Sequence, residues 1–225
     1  MSEPDRSLTR GLARPAPHPL EAVLDAAVAG SFPPADGATE LFPPDPSGWS
    51  AVVALTGHAY VLADVERAAL DALAADGYGG ASHPDVLRRI AGPGGQIGSL
   101  DALLVGRGEV GAVLARRDDA DHPRIARARA HRRDVEVHGD DAGLVILGRG
   151  LVGRREIAVE LLDPAGGGGA GHGRRLIRAG LAALSPGEPV WAQVSPGNAQ
   201  SLRAFLACGF VPIGSEVLIR PHADR

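Results

Sequence analysis

The sequence predicts a mixed α+β fold, and three features predict it. Short runs of Val, Leu and Ile with strand character, such as Gly143 to Gly148 and Val190 to Val194, recur between segments of helical spacing. Gly, Pro and Asp turns bound most of them. In the last third a mostly apolar run, Ile157 to Leu162, precedes a glycine-rich turn, Gly168-Gly169-Ala170-Gly171-His172-Gly173. That turn runs straight into Arg174-Arg175-Leu176-Ile177-Arg178 and a helical pattern ending near Leu184. A strand, a glycine turn and a helix start together form a cradle of backbone N–H groups for phosphate. Arginines in a first helical turn oppose the helix dipole, so they cost stability unless an anion sits nearby. The turn therefore reads as a diphosphate site.

The elements follow in order. Residues 1–17 are polar and proline-punctuated and read as a disordered tail. Residues 18–108 read as a small α+β region. It starts with a helix from Leu20 to Val28 and a loop rich in Pro33, Pro34, Pro43, Pro44 and Pro46. A hairpin follows, Ser50 to Leu55 and Ala59 to Ala63, turning at Thr56-Gly57. Asp64 suits the cap of a helix from Val65 to Ala75. A second helix spans His83 to Ile90 and stops at Gly92-Pro93-Gly94-Gly95, and Leu100 to Val105 reads as a strand. Residues 109–221 carry a strand at Gly111 to Ala115, an arginine-rich helix at Asp121 to Arg133, and strands Val135 to His138, Gly143 to Gly148 and Glu156 to Leu162. After the glycine turn come helix 171–184, strand Val190 to Val194, helix Asn198 to Cys208 and strand Phe210 to Ile219.

Composition narrows the function. A length of 225 residues suits one domain or a domain and a half, and 44% hydrophobic content with 4% aromatics means Leu, Val and Ala build the core. The formal charge of -4 gives no basic field for nucleic acid or acidic membranes. The chain has no Lys, which excludes a Walker-type phosphate loop and Schiff-base chemistry. The one cysteine, Cys208, excludes an internal disulfide and an all-cysteine metal site. No signal-like or bilayer-length apolar run appears, so the expectation is a soluble, cytoplasmic protein.

Strand, glycine turn, helix, strand and then Asn198, Ser201, Arg203, Phe205, Gly209 and Phe210 resemble the GNAT superfamily of acyl-CoA-dependent N-acyltransferases. Trp191-Ala192-Gln193-Val194 is the strand before the Asn motif, and Gly171 and Gly173 match the family's Arg/Gln-x-x-Gly-x-Gly/Ala turn. The resemblance covers roughly residues 110–220, with Gly168 where the family has Arg or Gln. It implies a sheet splayed between two central strands, with acyl-CoA, most simply acetyl-CoA, lying in the gap. The pantetheine arm would pair with the edge at Leu161, Leu162 and Asp163. The diphosphate would sit on the N–H groups of Gly169, Ala170, Gly171, His172, Gly173 and Arg174. Asn198 would bond the arm, and Ser201 and Arg203 would flank the nucleotide end.

Direct transfer to an amine needs a base, a polarised thioester carbonyl and a route for protonating the thiolate. Glu156 and Glu160 lie four apart on one strand and share a face, so either could be the base, with Glu156 slightly favoured. The backbone N–H near Leu162 would polarise the carbonyl. Phe205 stands where the family often has Tyr, so that proton donor is missing. An alternative is a non-catalytic acyl-CoA-binding or regulatory module with a degenerate site. The glutamates could also be the solvated side of a half-covered strand, and Asn198 a helix cap as well as a ligand. Cys208 reads as a small buried apolar residue, and His58, His122, His131, His138 and His172 show no metal-ligand spacing, so no metal is expected. The run Arg124, Arg127, Arg129, Arg132 and Arg133, flanked by Asp118, Asp119, Asp121 and Asp134, reads as a salt-bridged helix that does not bind nucleic acid. The partner is an amine acceptor, small molecule or peptide, left unidentified; a homodimer is equally open. Residues 18–108 read as a cap on the acceptor side or a decayed second acyltransferase half.

Overall fold

The computed structural model describes residues 16–118, 121–162 and 171–222. Among the described residues six α-helices and nine strands follow one another in the mixed α+β pattern the sequence predicts, with two short 3-10 turns at Gly80–Ser82 and Leu151–Gly153. Before residue 108 come α1 (Pro19–Val28), β1 (Thr39–Phe42), β2 (Ser50–Leu55), β3 (His58–Leu62), α2 (Arg67–Asp71), α3 (Pro84–Ala91) and β4 (Gln96–Arg107). After it come α4 (Pro123–His131), β5 (Arg133–Asp140), β6 (Gly143–Arg149), β7 (Arg155–Leu161), α5 (His172–Ala182), β8 (Pro189–Val194), α6 (Ala199–Ala207) and β9 (Val211–Arg220).

The nine strands form a single sheet in the order β1-β3-β2-β9-β4-β8-β7-β6-β5. Strand β4, from the first half of the chain, runs antiparallel to both β8 and β9 and separates them. The two halves thus share one sheet. Side-chain alternation divides its two faces. Leu103, Val105 and Trp191 pack with Leu20 and Leu24 of α1. Their neighbours Leu104, Val190 and Ala192 pack instead with Leu176 and Ile177 of α5 and Phe205 of α6. On the α1 side, α4 covers β5 to β7 through Ile125 and Ala128 against Val137, Ile146 and Ala158. Helix α5 lies close against β6 and β7 because Gly180 has no side chain: a Cβ there would sit 2.6 Å from Ile157 and 2.7 Å from Val145.

Several elements differ from the sequence reading. The segment read as a proline-rich loop contains β1, paired parallel to β3. The helix expected from Val65 to Ala75 is shorter: it starts at Arg67 after Glu66, without a side-chain cap, and Ala74 adopts a φ of 50° just beyond its end. Asp64 therefore caps nothing. Gly111 to Ala115 is no regular strand. It runs along β5 through Arg117 N–H to Val137 O and Gly139 N–H to Ala115 O, with an isolated bridge at Arg116. Among the described residues no helix is long and apolar enough to cross a membrane.

Candidate active site

Parallel neighbours β7 and β8 share one ladder pair, Glu156 with Trp191, and the ladder does not continue beyond it. On its other side β7 is paired with β6 along its whole length, Arg155 to Leu161. The Leu162 N–H continues that ladder by donating to Ala142 O at 3.2 Å. In an antiparallel ladder alternate residues turn their peptide groups to opposite sides. Residues 156, 158, 160 and 162 therefore bond β6, while the N–H and C=O of Val159 and Leu161 face the opening. This corrects the expectation for Leu162: its N–H is engaged, its side chain is 41% exposed, and the groups turned to the gap belong to its odd-numbered neighbours.

Across the gap, Asn198 caps α6 by accepting from the Ser201 N–H at 3.0 Å. Helix α5 is preceded by Gly171 at its N-cap, which takes a left-handed φ of 83°, and among the described residues no side chain caps its first-turn N–H groups. Of the three arginines in α5, Arg175 pairs with Asp140 at 2.7 Å and Arg178 approaches Glu109 at 3.8 Å. Arg174 lines the opening. This groove, about 710 Å³, is lined by Leu161, Gly171, His172, Gly173, Arg174, Asn198, Ser201 and Arg203. Every described residue expected to hold the cofactor, apart from Leu162, is thus brought to one surface. Asp163, Gly169 and Ala170 lie outside the described residues.

A strand pair open at one end beside a helix N-terminus is the arrangement the sequence resemblance implied.

On the opposite face a second cavity of about 260 Å³ opens under α4. Arg124, Val159, Asn198, Ser201 and Phe205 line both spaces, so they meet at the parted strands. Helix α4 runs over β7 with matching spacing. Arg124 and Arg132 are eight residues apart, about 12 Å of helix rise. Glu156 and Glu160 are four apart, about 13 Å of strand. Arg132 Nε accordingly lies 2.7 Å from Glu156 and Arg124 Nε 3.9 Å from Glu160.

Glu156 is buried at 2% exposure within a charged network at the vertex. Its carboxylate accepts from Arg132 at 2.7 Å, Arg154 at 2.9 Å and Gln193 at 2.8 Å. Arg154 reaches on to Glu216 of β9, with Nη2 donating at 2.7 Å and Nη1 2.6 Å from Oε2, and its guanidinium lies 5.4 Å from the Trp191 ring. Burial alone would raise the Glu156 carboxyl; the charges of Arg154 and Arg132 and the Gln193 hydrogen bond outweigh it and hold it below the usual range. Gly150 makes this possible, since a Cβ there would fall 2.2 Å from the carboxylate.

Asp101, on β4, lines the same cavity and did not stand out in the sequence. It pairs across the sheet with Glu216, and Ser99 Oγ donates to it at 2.9 Å. Burial holds its carboxyl above the usual range despite the opposing pull of Ser99, Arg127 and Arg124. The only hint in sequence was one acid amid the apolar run Leu100 to Val105. Phe205 is buried and stacks edge-on against Phe210 with ring centres 4.9 Å apart. Cys208 is buried, and burial raises its thiol, in keeping with an inert packing role. Among the described residues no group of three metal-ligating side chains converges.

No family model and no curated protein matches the chain. Among solved structures it is similar to a candidate acetyltransferase of the GNAT family from Novosphingobium aromaticivorans, at 20% identity and a TM-score of 0.39, over 58% of this chain and 69% of that one. A functionally unknown conserved protein from Staphylococcus epidermidis matches at 17% identity and a TM-score of 0.32, over 60% and 66%.

Proposed function

We propose that the protein is an acyl-CoA N-acyltransferase, working by direct transfer between a thioester in the groove and an amine in the α4-side cavity. The observation that carries this is the single ladder pair of β7 with β8, which leaves peptide groups of Val159 and Leu161 turned toward a groove that starts at the α5 N-terminus. An extended pantetheine arm would add to that edge as a strand does. Its diphosphate would take the uncapped N–H groups and Arg174. The acyl carbonyl would then lie near Val159, where the two spaces meet, with a β7 N–H polarising it.

The amine nitrogen attacks the carbonyl carbon, the new C–N bond forms, and the C–S bond breaks to release the thiolate. The amine's proton goes to a carboxylate. Glu156 is ill suited, because two guanidiniums and an amide already hold it in its charged form. Asp101 fits better: it makes no ion pair among the described residues, and burial raises its proton affinity. The released thiolate takes a proton from water, since Phe205 has none to give and thiolates leave well near neutral pH. Glu160, at the edge of the groove, steadies Arg124.

The test is thiol release from acetyl-CoA with a panel of amines, alongside thermal stabilisation by CoA. Turnover lost in Asp101→Asn with CoA stabilisation retained supports the reading. Stabilisation by CoA without turnover on any amine would favour a binding module, and failure of CoA to bind would reject both.

A further inference from the structure

We propose that the acceptor is a small molecule carrying a carboxylate beside its amine, an amino acid or close analogue, held by Arg127 and Arg124 at the carboxylate and by Asp101 at the ammonium. The inference rests on the acyltransferase reading and names the substrate class of its second cavity.

Charge carries the argument. The cavity is lined by three arginines, Arg124, Arg127 and Arg132, and by three acids, Asp101, Glu156 and Glu216. Three of these six already have their charges answered: Glu156 binds Arg132 and Arg154, and Arg154 binds Glu216. Arg127 and Asp101 are left without an ion pair among the described residues, and Arg124 has only a long one to Glu160. The Arg127 guanidinium, exposed on α4, makes no ion pair or hydrogen bond among the described residues, while Arg124 has only Glu160 at 3.9 Å. Both are near enough to Asp101 for their charges to act on its carboxyl. One acid without an ion pair, sharing a space with the unpaired Arg127 and the loosely held Arg124, suits a zwitterion. A simple amine would leave the guanidiniums unanswered, a polyamine or basic peptide would be repelled by them, and a polyanion would meet Asp101.

Size agrees. At about 260 Å³ the cavity falls just short of the roughly 300–1,000 Å³ typical of sites for drug-sized ligands, which suits a metabolite. Its amine end is also well placed. Asp101 shares the cavity with Val159, the residue at which the groove opens, so an ammonium held by Asp101 gives up its proton where the thioester arrives.

The experiment compares each common α-amino acid with its α-carboxamide, the decarboxylated amine and the des-amino acid, by thiol release from acetyl-CoA and by calorimetry without CoA. At least one amino acid is expected to exceed its own amide by about ten-fold or more in kcat/KM, a modest value for a desolvated charge pair. Arg127→Gln should bring that ratio close to one while CoA affinity, measured alone, stays unchanged. Amides or monoamines used as well as the parent amino acids, or a preference that survives Arg127→Gln, would overturn the proposal while leaving the acyltransferase reading intact. Carboxylate-dependent binding in calorimetry together with no binding of CoA would reject the acyltransferase reading, and with it the acceptor role, while leaving an amino-acid-binding cavity.

Discussion

The groove on the α5 side and the cavity on the α4 side meet at the same five residues but are built from different groups. On the proposed reading the groove would bind mostly through backbone: the edge of β7, the first turn of α5 and one capped helix start at Asn198. The cavity is lined by charged side chains drawn from α4, its C-terminal end, β4, β7 and β9. A backbone site suits a cofactor of fixed shape and tolerates changes of side chain. A side-chain site can be altered one residue at a time, which is what a variable acceptor demands. The contrast also divides the carboxylates: Glu156 has its charge fixed by two guanidiniums, whereas Asp101 has no charged partner among the described residues.

The largest expected effect tests that division. Glu156→Gln leaves buried guanidiniums short of a partner, which costs about 3 kcal/mol or more. In a protein of this size that lowers Tm by roughly 6–12 °C, measurable by calorimetry. The wild type should show the same dependence with acid. The depressed Glu156 carboxyl contributes stability that is present above its unfolded value, about 4.3, and is lost as pH falls through the folded one. A Glu156→Gln protein with normal Tm but no turnover would make Glu156 the base and erase the distinction.

Next comes Asp101→Asn. Loss of a general base lowers kcat by about a hundred-fold or more. Because burial raises the Asp101 carboxyl, its ionisation disfavours the folded state, so Tm near neutral pH should hold or rise. In the wild type the acid limb of kcat/KM should fall above the ordinary aspartate value of about 3.9, and the variant should lose that limb.

A smaller effect probes the backbone side. Leu161→Pro removes an N–H that faces the gap, whereas Ala158→Pro removes one that bonds β6. The first should weaken CoA binding by about ten-fold with a modest change in Tm; the second should lower Tm more. Equal effects of the two on CoA affinity would mean that the cofactor does not use this edge. Smallest of all, Glu160→Gln should change stability by under about 1 kcal/mol, since its contact with Arg124 is exposed and 3.9 Å long.

The two sides also differ in how readily they could be read from the chain. The groove is lined by Leu161 and by two short runs of neighbours, 171–174 and 198–203, whose glycines, cap and spacing are local signals. The cavity is assembled by register. Asp101 faces it because β4 enters the sheet beside Glu216, and Arg132 reaches Glu156 because helix rise over eight residues matches strand rise over four. Neither follows from windows of a dozen residues. The same limit explains β1, hidden among prolines and formed by pairing with β3, and the loss of a strand at Gly111 to Ala115, whose polar groups meet β5 only in part. The arginine run reads as bridged to its flanking aspartates, but among the described residues only Arg124 and Arg132 form ion pairs, and both reach glutamates of β7 that no local window reveals.

The place of β4 bears on how the chain reaches this state. Its contacts with β9 join residues more than a hundred positions apart, Leu104 with Pro212 among them, and until they form β8 and β9 have a gap of one strand between them. Pairings of that range are slow to close, because chain entropy is lost before any contact compensates for it. During synthesis the early strand must wait for the final one to leave the ribosome. A fragment starting at residue 109 would emerge with an unfilled slot in its middle, prone to capture a strand from another molecule.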